Sequence, residues 1–121
     1  MSLHLELGST IDTDFGDALD SPIEQMQDAM IVHLKNGVRL VVRYAAADTY
    51  SLRWAYGDVE SGIDTAPLHR ELATFPNHLH EAGGRIVADP ITRLDASPTD
   101  NLQRLIRALI DDPMLGASHL A

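Results

Sequence analysis

Residues 30–44 read MIVHLKNGVRLVVRY and carry the clearest structural signal in the chain. Asn36-Gly37 lies between two apolar segments, and an Asn-Gly pair in that position is the strongest short signal for a β-hairpin. The pair predicts a type I′ turn, in which both central residues have positive φ. We therefore expect a strand over 30–35, a tight turn, and a return strand over 38–44.

Apolar and polar residues continue to alternate beyond this hairpin, as in strands that bury one face. A third strand is expected over 50–56. A fourth follows over 59–64, where Gly62 is typical of a bulge or an edge strand. A short fifth strand is expected over 85–88. The apolar face of the second and third strands consists of Val38, Leu40, Val42, Tyr44, Leu52, Trp54 and Tyr56.

The C-terminal part of the chain predicts one amphipathic helix over residues 97–112. Ser97 suits the N-cap and Pro98 suits the first helical position. Pro113 ends the helix, and residues 113–121 form a tail. The apolar positions follow the i, i+3, i+4, i+7, i+8 spacing of a single buried stripe. That stripe consists of Leu102, Leu105, Ile106, Leu109 and Ile110.

Two structures fit the acidic N-terminal segment, residues 1–21: a short helix that docks on the sheet, or a loose tail. Thr13 or Asp14 would cap such a helix. Together the elements predict one α+β domain over residues 1–121. It consists of an antiparallel β-meander of about five strands over residues 28–95, packed by the C-terminal helix.

The composition narrows the class of function. The net charge of −9 opposes non-specific nucleic-acid binding, so contact with RNA would require a local basic patch. The absence of cysteine excludes disulfides, thiolate catalysis and Cys-type zinc sites. No segment approaches the ~20 apolar residues of a membrane helix, and no secretory signal is recognisable. We expect a cytoplasmic protein without a cofactor, since no phosphate-binding loop is present.

Candidate catalytic residues gather around the connection over 66–80, which we expect to be irregular. His69, His78 and His80 lie in it, and Asp64 comes just before. In an extended segment the last two imidazoles point the same way, with Cα atoms about 6.5–7 Å apart. Such a pair suits acid–base catalysis near neutral pH. It also suits one metal ion, with Asp64 or His69 as third ligand. A purely structural role is the third alternative.

Arginines occupy the face opposite the apolar one: Arg39, Arg43 and Arg53. Three guanidinium groups on neighbouring strands suit a phosphate backbone or an acidic segment of a partner protein, because each fork bonds two oxygens. The alternative is that these arginines are only the solvent-exposed side chains on the outer side of the sheet. Trp54 and its neighbouring tyrosines could stack bases, but their apolar neighbours favour a role in the core.

Residues 62–72 read GIDTAPLHREL, and residues 73–80 read ATFPNHLH. With the strand before them, these segments resemble the TumE-like family of toxin–antitoxin proteins. Members carry a segment close to Arg-Trp-Asp-Asn-Ala-Pro-His-His-Pro-Glu-Leu, followed by Thr-Phe-Pro-His-His, one variable residue and His. The matching residues are Asp64, Ala66, Pro67, His69, Glu71, Leu72, Thr74, Phe75, Pro76, His78 and His80.

The chain departs from this motif where Gly62 and Ile63 replace Arg and Trp. It also departs where Leu68 and Asn77 replace the first His of each His-His pair. A degenerate, non-catalytic module that only pairs with its antitoxin is therefore an alternative. The resemblance implies a small toxin encoded beside a protein antitoxin, often one with a DNA-binding domain. The expected layout is also similar to that of RelE-like ribonuclease toxins, an analogy of fold alone.

These observations lead to the hypothesis of a toxin that acts on RNA and is neutralised by an antitoxin. His69, His78 and His80 would serve as acid–base groups, with Asp64 orienting one imidazole. Cleavage through the 2′-hydroxyl would need no metal, although a His-based metal-binding protein is an alternative. Pairing of two copies into a homodimer is left open. The expected substrate-binding residues are Arg39, Arg43, Arg53 and Arg70.

Overall fold

The computed structural model describes residues 2–115 and has an α+β fold. Seven antiparallel strands follow one another across a single sheet in chain order, so the fold is a meander. The expected fold class is confirmed, with seven strands in place of about five. The elements are α1 (Leu3–Phe15), a 3-10 turn (Gly16–Ala18), β1 (Glu24–Gln25), β2 (Met30–His33), β3 (Val38–Ala46), β4 (Thr49–Tyr56), β5 (Val59–Asp64), β6 (His78–His80), β7 (Ile86–Ala88) and α2 (Pro98–Asp111).

The β2–β3 hairpin forms where the Asn-Gly pair predicts it, but with a different turn. The N–H of Leu34 donates to the carbonyl of Val38 at 2.9 Å, which leaves three residues in the loop. Gly37 has a φ of 100°, whereas Asn36 is not in the positive-φ region. The type I′ prediction was therefore wrong. The Asn36 side chain instead donates to the carbonyl of Leu109 at 2.9 Å, and so links the turn to α2.

Two strands were missed from the sequence. Strand β6 lies inside the connection expected to be irregular, and it pairs with both β5 and β7. Strand β1 has only two residues, which pair with β2. Segments of two or three residues are too short for the two-residue alternation of a strand to be recognised.

Gly62 lies in a continuous part of the sheet, so the expectation of a bulge or an edge was wrong. It pairs with Arg53 on one side and His80 on the other. A Cβ atom at this position would lie 3.2 Å from both the carbonyl oxygen of Leu52 and the Cγ atom of Arg53. Glycine is therefore favoured here because neighbouring groups approach closely, not because the strand is irregular.

Both helices pack on the same face of the sheet. Ser2 caps α1 by accepting from the N–H of Leu5, so the helix starts well before the expected caps, Thr13 and Asp14. Ser97 caps α2 as predicted. Asp14 instead accepts a hydrogen bond from Gln103 of α2. The predicted tail over 113–121 lies mostly outside the described residues. The helices contribute Leu7, Ile11, Leu102, Leu105, Ile106 and Leu109 to the core.

No described helix packs on the opposite side of the sheet, which we call the open face. It is polar and partly exposed, because alternate residues of each strand point away from the core. No helix among residues 2–115 is long and apolar enough to span a bilayer. Side chains of the open face include His33, Arg39, Val41, Arg43, Ser51, Arg53, Asp64, His78 and His80.

Candidate functional site

Strand pairing brings three polar side chains together on the open face. Asp64 at the end of β5 lies opposite His78 at the start of β6, and His80 lies two residues further on. The Nε2 atoms of the two imidazoles are 3.0 Å apart. His78 Nε2 is 3.1 Å from Asp64 Oδ1, and His80 Nε2 is 3.1 Å from Asp64 Oδ2. We call these three residues the Asp–His cluster.

His69 lies at the border of the cluster. Its ring meets the ring of His78 edge-on, with centroids 4.7 Å apart. The rings of His78 and His80 are also 4.7 Å apart, so the other two imidazoles both pack against His78. His69 Nδ1 is 3.7 Å from the carboxylate of Glu71. The structure thus brings all four predicted catalytic side chains together, three of them in direct polar contact.

The backbone orients two members of the cluster. His78 Nδ1 lies 3.1 Å from the carbonyl oxygen of Pro76. A carbonyl only accepts, so Nδ1 is the donor in this contact, and Nε2 is the ring nitrogen that faces Asp64. The N–H of Ala66 donates to Asp64 Oδ1 at 3.0 Å. The side chain of His78 is 1% exposed and that of His80 is 37% exposed, so solvent reaches the cluster from His80.

Arg53 lies two strands from His80 in the strand register, as Arg43 lies two strands from Asp64. The row across the sheet runs from Arg53 through Gly62 to His80. Two strand spacings separate the first and last of these residues, about 9.5 Å, and glycine places no side chain between them. Arg53 and His80 border the same depression of the surface. The sequence indicated Gly62 as a bulge or edge residue and as a departure from the family motif, but not as the residue that opens this space.

The other predicted arginines differ in their distance from the cluster. Arg43 borders a cleft together with Asp64, and Arg39 lies four residues away along β3 on the same face, beyond Val41. Arg39, Arg43 and Arg53 therefore share the open face, in the register expected from the sequence. Arg70 lies on the connection, with its guanidinium 5.7 Å from the centre of the Phe75 ring. Arg70 thus packs on the ring of Phe75.

The motif positions occupied by Leu68 and Asn77 lie outside the cluster. The side chain of Leu68 is on the surface, 73% exposed. Asn77 is buried in a polar network, where it donates to the hydroxyls of Tyr50 at 2.9 Å and Thr92 at 3.2 Å. Asp89 belongs to this network, because it accepts from the backbone N–H of Thr92 at 3.0 Å and from the amide of Asn77 at 3.4 Å. The departures from the motif therefore remove no member of the Asp–His cluster.

One group among residues 2–115 has the composition and spacing for a shared metal ion. Asp64, His78 and His80 each offer a donor atom, and these atoms lie within 4.8 Å of one another. The remaining predicted imidazole, His69, is not part of that group. The cluster can thus act either as a proton-transfer centre or as a set of metal ligands.

The fold and the site define an α+β protein with a helix-covered sheet and a polar, arginine-bearing open face. The family model described as Toxin TumE matches residues 9–113. The chain therefore belongs to the TumE toxin family, as the sequence motif predicted, and is a toxin of a toxin–antitoxin system. Such a toxin has an antitoxin as its partner. No curated protein and no solved structure matches the chain significantly.

Proposed function

We propose that this toxin cleaves RNA at the Asp–His cluster, with Arg53 binding the phosphate. One observation carries the proposal: a carboxylate and two imidazoles in mutual contact border, on the open face, a depression that Arg53 also lines. Imidazoles move protons near neutral pH, and a guanidinium stabilises charge that develops on a phosphate. RNA supplies both a phosphate and an internal nucleophile, its 2′-hydroxyl.

His80 is the best placed general base. Its Nε2 lies 3.1 Å from Asp64, which holds the proton of the neutral ring on Nε2 and leaves Nδ1 as the acceptor. The 2′-oxygen would give its proton to His80 and form a bond to the adjacent phosphorus. The bond from phosphorus to the 5′-oxygen would break, leaving a 2′,3′-cyclic phosphate and a 5′-hydroxyl.

His69 is the best placed general acid for the leaving 5′-oxygen. Its side chain is 25% exposed, and its ring lies on the buried His78, as does the ring of His80. Two imidazoles that flank a third can reach opposite sides of one phosphate, as in-line displacement requires. His78 is a positioning residue in this scheme, because its side chain is 1% exposed.

The arginines would overcome the repulsion between an acidic protein and RNA. The chain carries a net charge of −9, but Arg39, Arg43 and Arg53 concentrate positive charge on the open face. Their guanidinium groups would bind phosphates along the strand while Arg53 contacts the scissile one. We further propose that a cytoplasmic antitoxin of the DNA-binding type neutralises the toxin by laying an acidic segment on this face.

The test is RNA cleavage by purified, tag-free protein in the presence of EDTA, with the product ends identified. His80→Ala should lower the rate about 10²–10⁴-fold, as for loss of a general base. His33→Ala is the matched control, since His33 is on the same face and contacts Glu24 at 2.6 Å, outside the cluster. Intact RNA with the wild-type protein, or equal rates for the two variants, would disprove the proposal.

A further inference from the structure

We propose that Asp64, His78 and His80 bind one divalent transition-metal ion through two imidazole Nε2 atoms and the carboxylate. The inference goes beyond the RNA chemistry and does not depend on it, because metal binding can be measured without RNA. It follows from the distances within the cluster, from the types of its donor atoms, and from the groups that orient the imidazoles.

The distances fit a single ion. The contacts between the donor atoms of the cluster measure 3.0 Å between the two nitrogens and 3.1 Å from each nitrogen to a carboxylate oxygen. Donor atoms that each lie about 2.1 Å from one ion are about 3.0 Å apart at right angles and about 3.4 Å apart at the tetrahedral angle. An ion above this triangle would therefore reach both imidazoles and the carboxylate after side-chain shifts of a few tenths of an ångström.

The three contacts join donor atoms that can all bind one cation. Each imidazole Nε2 lies 3.1 Å from an oxygen of Asp64, and the two nitrogens are 3.0 Å apart. One ion attracts both nitrogens and the carboxylate at once, whereas a hydrogen bond joins only two of these atoms.

The surrounding groups favour metal binding by His78 in particular. Imidazole ligands usually donate their second N–H to a carbonyl or carboxylate, which fixes the tautomer and the ring orientation. His78 makes this contact through Nδ1 with Pro76, so its Nε2 lone pair points into the cluster. Paired strands β5 and β6 hold Asp64 and His78 opposite each other. The ligand set is thus formed in advance, and little ordering is needed when an ion binds.

The ligand types select the class of ion. Two imidazoles and one carboxylate suit zinc, nickel or iron(II), whereas magnesium and calcium prefer sites built from oxygen. Three protein ligands leave coordination positions open, and His80 is the side from which solvent enters. Arg53 borders the depression at that side. An anion such as a phosphate could therefore contact both the ion and the guanidinium.

The test is calorimetric titration of tag-free, chelator-treated protein with zinc chloride. We expect one zinc ion per chain and a rise in melting temperature with zinc concentration. His80→Ala and Asp64→Asn should each weaken zinc binding by at least about 100-fold, whereas His33→Ala should leave it unchanged. Magnesium chloride should produce no saturable heat at the same concentrations.

His78→Ala carries less weight, because His78 is buried and its loss can unfold the protein. The more exposed His80 keeps the test decisive. Absence of saturable zinc binding, or equal zinc affinity in wild type and His80→Ala, would overturn the inference. RNA cleavage in EDTA by a protein that does not bind zinc would support the proposed function and overturn the metal site. Zinc binding without RNA cleavage would support the metal site and disprove the proposed function.

Discussion

The two faces of this sheet are made by the same strands but have different roles. Ile63 pairs with Leu79 on the covered face, and both are buried against the helices. Their neighbours Asp64 and His78 pair on the open face and form part of the cluster. Adjacent residues thus serve stability and chemistry separately, because side chains alternate across a strand. The comparison predicts that substitutions on one face leave the other nearly unaffected.

The largest effect on stability is expected from the covered face. Leu105→Ala removes a fully buried side chain of α2 and should lower the free energy of unfolding by about 2–5 kcal/mol. Urea denaturation followed by circular dichroism measures this change. RNA cleavage and zinc binding should be retained below the unfolding transition. Loss of either in a protein that is still folded would show that the two faces are coupled.

Arg53→Ala tests the open face. Removal of its guanidinium should lower kcat/KM for RNA about 10–100-fold, since one charged donor to the transition state is lost. Arg39→Ala is the matched control. Arg39 lies on the same face but further from His80, so its loss should reduce mainly the salt dependence of RNA binding. The free energy of unfolding of both variants should lie within about 0.5 kcal/mol of the wild-type value. Equal losses of kcat/KM in Arg53→Ala and Arg39→Ala would show that Arg53 has no special role at the scissile phosphate.

The smallest effect at neutral pH is expected for Tyr44→Phe on the covered face. The hydroxyl of Tyr44 is buried and finds no hydrogen-bond partner among the described residues. Burial, and then the nearby Tyr50, raise the pKa of Tyr44 above its ordinary value. The folded protein therefore holds this proton more tightly than the unfolded chain, whose tyrosines titrate near pH ~10. The contribution of Tyr44 to the free energy of unfolding is therefore constant below that pH and is lost as the pH rises above it.

Above pH ~10, Tyr44→Phe should reduce the loss in free energy of unfolding by about 1.4 kcal/mol per pH unit. At neutral pH the substitution should hardly change the free energy of unfolding. Urea denaturation at pH 8 and pH 11 measures both values. Burial also raises the pKa of Tyr50, so part of the alkaline loss should remain. Tyr50→Phe is a contrasting variant, because it breaks hydrogen bonds to Thr92 and Asn77. An unchanged alkaline loss in Tyr44→Phe would contradict the assignment.

Local signals in the sequence predicted much of the covered face. The stripe of α2 is buried from Leu102 to Leu109, while Ile110 at its border is 39% exposed. Ser97 caps the helix and Pro98 begins it. The turn at Asn36 was predicted wrongly because its side chain bonds to the carbonyl of Leu109, a contact made only in the folded protein. Propensity for a turn type is a local property that such a contact overrides.

The candidate site was predictable in its members but not in its arrangement. Spacing suggested that His78 and His80 share a side, with Asp64 and His69 nearby, and the family motif contains all four residues. The pairing of β5 with β6, across a connection containing Pro67 and Pro76, could not be inferred from alternation. The catalytic roles of these residues remain predictions that the proposed assays test.

The sequence by itself determined the fold class, the first hairpin, the capped C-terminal helix and the family. These features depend on short-range periodicity, turn residues and a contiguous motif, which can be recognised within a few positions of the chain. Only the tertiary structure decided the pairing of Asp64 with His78 and the space that Gly62 leaves beside Arg53. Strand register depends on how distant segments pack together, and a shift of one residue would turn these side chains to the opposite face.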